Sequence, residues 1–316
     1  MNRKPPQAGG RTFLDYPAAR VGEHLDADVA ILGIPLGAPY PFEDLPNDQA
    51  NAPSAIRQAS ERLVVGPDHW DFDLGGTVLA DSGLKVVDCG DVPLDLEDTN
   101  AHYRDAEHMA RTILDSGCAL VVLGGDHGIP IPVFRALDGH GPITLVQIDA
   151  HLDWRDERGG VPDGYSSPMR RAAEMDHIDQ IFQIGLRAQG SARAGEVADA
   201  LAYGAHLVTG QELYRRGMRS VLDDIPDGGT YYLTIDADGM DPVGMPAVAG
   251  PAAGGVNYHQ MHELIHGLSA KGRLIGMDIV EITPSRDLNE ITCITAGQLI
   301  QNFIGLHARK KLGGNP

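Results

Sequence analysis

ITLVQIDAHLD, residues 143–153, decides how this chain is read. Its opening run is dominated by Ile, Leu and Val and lacks the strict alternation of a strand with one wet face. Such a strand is buried on both faces, as in a parallel sheet covered by helices. The run ends in Asp149, His151 and Asp153. These are two apart, so an extended backbone points all three to one side.

Runs of the same kind recur at 28–35, 84–91, 118–125, 181–186, 205–209, 230–236 and 273–280. Helical patterns lie between them. One starts near Pro53 and carries Ile56, Ala59 and Leu63; others cover roughly 101–116, 129–138, 193–203, 210–224 and 257–270. The last runs from about Glu290 to Lys310 and places Ile291, Ile294, Leu299, Ile300, Ile304 and Leu306 on an apolar stripe. About eight strands alternating with helices predict one α/β domain over residues 1–316, with an irregular segment 1–25. Gly/Pro-rich stretches at 33–53 and 239–255 directly follow strands. In open α/β sheets the ligand lies beyond the carboxyl ends of the strands, which makes both stretches site candidates.

Composition excludes several partners. The chain has 316 residues, 42% of them hydrophobic, enough for a sizeable core. Its 25 Lys and Arg against 44 Asp and Glu leave a net charge of −19. That balance argues against nucleic acid and against an anionic membrane surface as partners. Cys89, Cys118 and Cys293 are too scattered for a disulfide framework and read as buried thiols in a reducing compartment. The polar N-terminus, with no apolar run near the ~20 residues of a membrane span, points to the cytoplasm.

Three polar clusters stand where apolar runs end. They are Gly124-Gly125-Asp126-His127, the Asp149–Asp153 segment, and Asp236-Ala237-Asp238-Gly239-Met240-Asp241-Pro242. Either motif alone is a common turn or cap. Together they converge carboxylates at the mouths of buried strands, which is costly without strong positive charge. A pair of divalent ions supplies that charge. Carboxylate and imidazole without thiolate suit Mn²⁺, Ni²⁺, Fe²⁺ or Zn²⁺. Carboxylates also bridge two ions at the ~3.5–4 Å spacing of dinuclear hydrolytic sites.

GGDHG at 124–128, DAHLD at 149–153, DADGMDP at 236–242 and VEITPSRD at 280–287 resemble, in this order, the ureohydrolases: arginase, agmatinase, guanidinobutyrase and relatives. The resemblance extends from ILGIP at 31–35 to the final helical pattern. It implies a three-layer α/β/α fold with a mostly parallel, about eight-stranded sheet. It implies a dinuclear site, of Mn²⁺ or Ni²⁺, held by His127, Asp149, His151, Asp153, Asp236 and Asp238, with Asp149 and Asp236 as bridges. Asp241 reads as a cap before Pro242 rather than a ligand. The implied chemistry is attack of activated water on a guanidinium carbon, with Asp149, His151 and Glu281 catalytic and Glu281 also holding the cationic substrate.

Several segments depart from that pattern. Agmatinase-like members carry a proton-shuttling His after the second motif; here Tyr165 stands in its place, or Ser166 if the loop shifts by one. The loop at 245–255 is small and apolar where Gly-Thr elements are usual. The loop at 39–49 lacks the usual arginines; within it, Asn47 is a candidate substrate contact, as are Trp154 and Tyr165. Trp154 is placed in the pocket wall, or against a neighbouring subunit. These departures point to a compact cationic substrate: guanidine, an alkylguanidine or a biguanide such as metformin. Agmatine and guanidinobutyrate are the alternatives. A non-catalytic subunit beside an active paralogue and a single-zinc deacetylase on the related fold are readings from other classes. A homo-trimer or hexamer, or a hetero-oligomer with a paralogue, is the expected assembly, with the final helix at an interface.

Overall fold

Apolar runs form eight strands: β1 (Val29–Gly33), β2 (Val86–Asp91), β3 (Ala119–Leu123), β4 (Ile143–Ile148), β5 (Ile178–Leu186), β6 (His206–Thr209), β7 (Thr230–Asp236) and β8 (Arg273–Val280). The computed structural model describes residues 11–22, 25–37, 40, 47–63, 68–94, 98–190 and 192–313. The expected irregular segment 1–25 lies partly outside these, and of the 39–49 loop only 40 and 47–49 lie within them. All eight strands pair in parallel, in the order β2-β1-β3-β8-β7-β4-β5-β6.

The strands lack alternation because both faces are covered. Val29, Ile31, Val121, Val146 and Leu233 point into one apolar layer, while Ala30, Leu32, Val122, Leu145 and Tyr232 point into the other. The helices between them are α1 (Ala52–Ser60), α2 (Thr99–Asp115), α3 (Pro130–Ala136), α4 (Pro168–Ala172), α5 (Ala194–Tyr203), α6 (Gly210–Arg216), α7 (Met218–Leu222), α8 (Tyr258–Lys271) and α9 (Ile291–Lys311). Residues of α1, α8 and α9 line the first layer, and residues of α2, α3 and α5 the second. Local chemistry sets the ends. Asp98 caps α2 by accepting from the Ala101 N–H at 2.8 Å. Asn257 and Gln260 form a reciprocal capping box at α8.

Two features of the helices differ from expectation. The segment 210–224 is two helices, because Gly217 adopts φ 76 and ends α6. α4 was not expected; it is a single short turn opened by Pro168. The final helix packs largely within the chain: Leu299, Ile300, Phe303, Ile304 and Leu306 are buried in the layer that also holds α1 and α8. Of the expected stripe, Ile291 is left 38% exposed. Among the described residues no helix is long and apolar enough to cross a membrane.

The strand order matters for function. β3, β8, β7 and β4 are consecutive in the sheet. Their carboxyl ends therefore bring His127, Glu281, Asp236 and Asp149 to one place, although these residues are far apart in sequence.

Candidate metal centre

Close backbone approach builds the floor of the site. The Asp126 N–H donates to the Leu36 carbonyl at 2.8 Å, and the Glu281 N–H donates to the Gly125 carbonyl at 2.8 Å. A Cβ on Gly125 would stand 1.8 Å from the Leu36 carbonyl oxygen, so only glycine allows this crossing. Two carboxylates sit on strained backbone: Asp153 at φ 51 and Glu281 at φ 65. Left-handed non-glycine residues of this kind cluster at functional sites.

His127 Nδ1 lies 3.1 Å from Asp149 Oδ2, 2.9 Å from Asp153 Oδ2 and 2.9 Å from Asp236 Oδ2. His151 Nδ1 lies 3.1 Å from Asp238 Oδ2 and 3.5 Å from Asp149 Oδ1. Two ligand groups result, His127–Asp149–Asp236 and Asp149–His151–Asp238, and Asp149 belongs to both. All six side chains expected as ligands thus converge. Five are almost fully buried, while the His151 side chain keeps 28% exposure and opens the cluster to solvent. Asp149 also accepts from the His151 N–H at 2.6 Å.

The cluster is short of positive charge. Burial and the neighbouring Asp149 carboxylate push Asp153 up to about 7. Burial and the charges of Asp238 and Asp149 push Asp236 well above the usual carboxylate range. Hydrogen bonding to Asp149 and Asp238 pushes His151 up to about 12. Burial opposes protonation of His127, yet the three facing carboxylates raise it above its ordinary value. Both His127 ring nitrogens are buried and, among the described residues, lack a well-aligned hydrogen-bond partner, despite the oxygens around Nδ1. A ring nitrogen facing several carboxylate oxygens without a proper hydrogen bond is the arrangement a cation completes. Carboxylate and imidazole donors fit a borderline or hard divalent ion.

Glu281 stands next to this cluster. One oxygen accepts from the His127 backbone N–H at 2.7 Å, and the other accepts from the Gln49 side-chain amide. Both partners are neutral. Burial and the Asp126 charge push Glu281 up to about 8.

The other expected contacts have defined places around this cluster. Asn47 Oδ1 accepts from the Gln49 N–H at 2.8 Å and so orients the residue that reaches Glu281. Trp154, expected in the pocket wall, is 3% exposed in the apolar layer with Leu152 and Met169, its ring 5.7 Å from that of Tyr203. Tyr165 accepts from Arg158 at 3.2 Å and lies 4.6 Å from the Tyr40 ring. Ser166 is the more buried of the two residues in the shuttle position, and its hydroxyl meets that of Tyr40. Asp241 closes a turn by accepting from the Val243 N–H at 2.9 Å; it is not the cap of a helix.

Gln49, Gln147, Gln183 and Tyr40 were not singled out from sequence. Gln147 and Gln183 did carry a signal: each interrupts an apolar strand that has no wet face.

The arginase-family model matches residues 27–305. The chain belongs to the arginase family. It is 30% identical over 310 residues to a guanidinobutyrase of Pseudomonas aeruginosa, covering 96% of this chain and 94% of the relative. It is 31% identical over 309 residues to an agmatinase of Edwardsiella ictaluri, covering 95% and 94%. The solved proclavaminate amidino hydrolase of Streptomyces clavuligerus superposes with a TM-score of 0.82 at 26% identity, covering 97% and 99%. As an arginase-family amidinohydrolase, the chain is a metal-dependent hydrolase of C–N bonds in linear amidines.

Proposed function

We propose that this arginase-family chain hydrolyses a compact guanidino compound, such as guanidine, an alkylguanidine or a biguanide, to urea or a urea-like product and an amine. The observation that carries this reading is the buried Glu281 carboxylate beside the candidate ligands, whose two hydrogen-bond partners among the described residues are both neutral. A planar cation supplies the missing charge, and its N–H groups suit a carboxylate.

The residues divide the work. His127, Asp149, Asp153 and Asp236 would hold one divalent ion and Asp149, His151 and Asp238 a second; Asp149 belongs to both ligand groups, with Asp236 the second expected bridge. When bound, such a pair lowers the pKa of coordinated water toward neutrality. Glu281 orients the guanidinium beside the candidate ligands. Gln49 and the His127 N–H fix the Glu281 carboxylate, and burial of the ligands on all sides but that of His151 keeps bulk water out.

The compact pocket is supported by the arginines near the loop after β7. Arg187 spends its N–H groups on the carbonyls of Gly185, Asp238, Gly239, Met240, Ala252 and Ala253. Arg286 donates to the carbonyls of Val248 and Ala249. Neither is poised as a clamp for a substrate carboxylate. The similarity to a guanidinobutyrase and an agmatinase favours a second reading, hydrolysis of those longer substrates. Cytoplasmic location and assembly as a trimer or hexamer, alone or with a paralogue, belong to the same proposal.

A panel assay for urea and amine release tests this, using guanidine, methylguanidine, metformin, agmatine, 4-guanidinobutyrate and arginine with Mn²⁺ or Ni²⁺. Turnover of the short guanidines above agmatine and arginine is expected. Urea from arginine alone overturns the compact-pocket reading.

A further inference from the structure

Beneath the candidate ligands lie two glutamines from adjacent strands, Gln147 on β4 and Gln183 on β5, paired in register. Both are completely buried. Gln183 Nε2 donates to the Leu152 carbonyl at 2.8 Å and to Gln147 Oε1 at 2.6 Å. Gln147 Nε2 donates to Asp149 Oδ2 at 2.6 Å.

The connectivity allows only one orientation. Because Gln183 uses its amide hydrogens on two carbonyl oxygens, Gln147 must present Oε1 to Gln183 and its N–H to Asp149. Asp149 Oδ1 is taken by the His151 N–H, so both oxygens of this carboxylate are fixed and its plane is set. Gln183 also holds the Leu152 carbonyl, between His151 and Asp153 in the same loop. One chain of amides thus anchors the carboxylate common to both ligand groups and the backbone that carries two more ligands.

Packing alone does not account for this arrangement. Two apolar side chains of similar volume would fill the same space, whereas buried amides are costly unless bonded. Gln183 Oε1 has no hydrogen-bond partner among the described residues. An orphaned buried acceptor is costly and calls for a functional reason.

We propose that Gln147 and Gln183 are positioning residues for the metal pair: a neutral amide relay that holds Asp149 as the carboxylate bridging two ions. This rests on the two-ion reading of the cluster. Because its donors are uncharged, the relay orients Asp149 without competing for its charge.

Mn²⁺ alone serves as the probe, added to the full chain and followed by affinity titration and by electron paramagnetic resonance. Gln147→Met keeps most of the volume and removes the donor. It is expected to weaken Mn²⁺ binding about 10–100-fold. The spin-coupled spectrum of paired Mn²⁺ should also give way to the six-line spectrum of single ions, a change that lost packing by itself does not cause. Gln183→Met leaves the donor in place but frees its orientation, and the same loss of coupling is expected in smaller measure. Should Gln147→Met not fold, Gln183→Met decides by the same two readouts. Wild-type affinity and an unchanged coupled spectrum in the folded variants overturn the proposal. A wild-type protein that never shows paired Mn²⁺ overturns the two-ion reading itself, and the relay with it.

Discussion

Charge shortage is the governing fact at the level of single residues. Within the cluster Asp153 is pushed to about 7 by burial and Asp149, while His151 is pushed to about 12 by its hydrogen bonds to Asp149 and Asp238. The protonated forms are therefore the ones to be displaced at neutral pH. Metal uptake should release protons, and affinity should fall as pH drops through about 7. For stability the sign is opposite. A carboxyl raised in the native state favours folding below its ordinary range, and that contribution is lost as pH rises through about 7. A titration with Mn²⁺ in weak buffer containing a pH indicator, between about pH 6 and 8, checks the first point. Binding without proton release contradicts it. The six candidate ligands were legible because each sits in a short polar cluster ending an apolar run. Gln49 was not, since the partner that gives it meaning, Glu281, lies 232 residues away.

At the level of elements, α1 presents Gln49 to Glu281 from just before its first turn, and a buried ion pair docks it on β2. Arg57 Nε and Nη2 donate to Asp88 at 2.8 and 2.9 Å, Nη2 also donates to the Gly90 carbonyl at 3.1 Å, and Nη1 reaches Asp91. Arg57→Met leaves Asp88 buried without its counter-charge. It is expected to cost about 3–5 kcal/mol in denaturant unfolding, the usual cost of breaking a buried pair from one side. A loss under about 1 kcal/mol would show that the pair does not anchor the helix. The strands were legible because they are continuous apolar runs. α4 was not, being too short for any periodicity to show, and the break at Gly217 was hidden inside a pattern that stays amphipathic across it.

The sheet order is the property of the whole molecule that makes the site. Alternation of strands and helices predicts a parallel sheet but does not say which strands are neighbours. Only the observed order, with β3, β8, β7 and β4 side by side, explains why motifs near residues 127, 149, 236 and 281 come together in space. The net charge of −19 also gains a local component, since Asp149, Asp153, Asp236 and Asp238, four of its 44 acids, are candidate ligands and Glu281 stands beside them. The central claim is that these residues hold two ions through a shared Asp149. The most direct test is the divalent metal content per chain after Mn²⁺ loading and removal of excess, compared between the wild-type protein and Asp149→Asn. About two ions in the wild-type chain and fewer than about one in the variant is the predicted result. A wild-type chain that retains a single ion, or an Asp149→Asn chain that still retains two, contradicts the account.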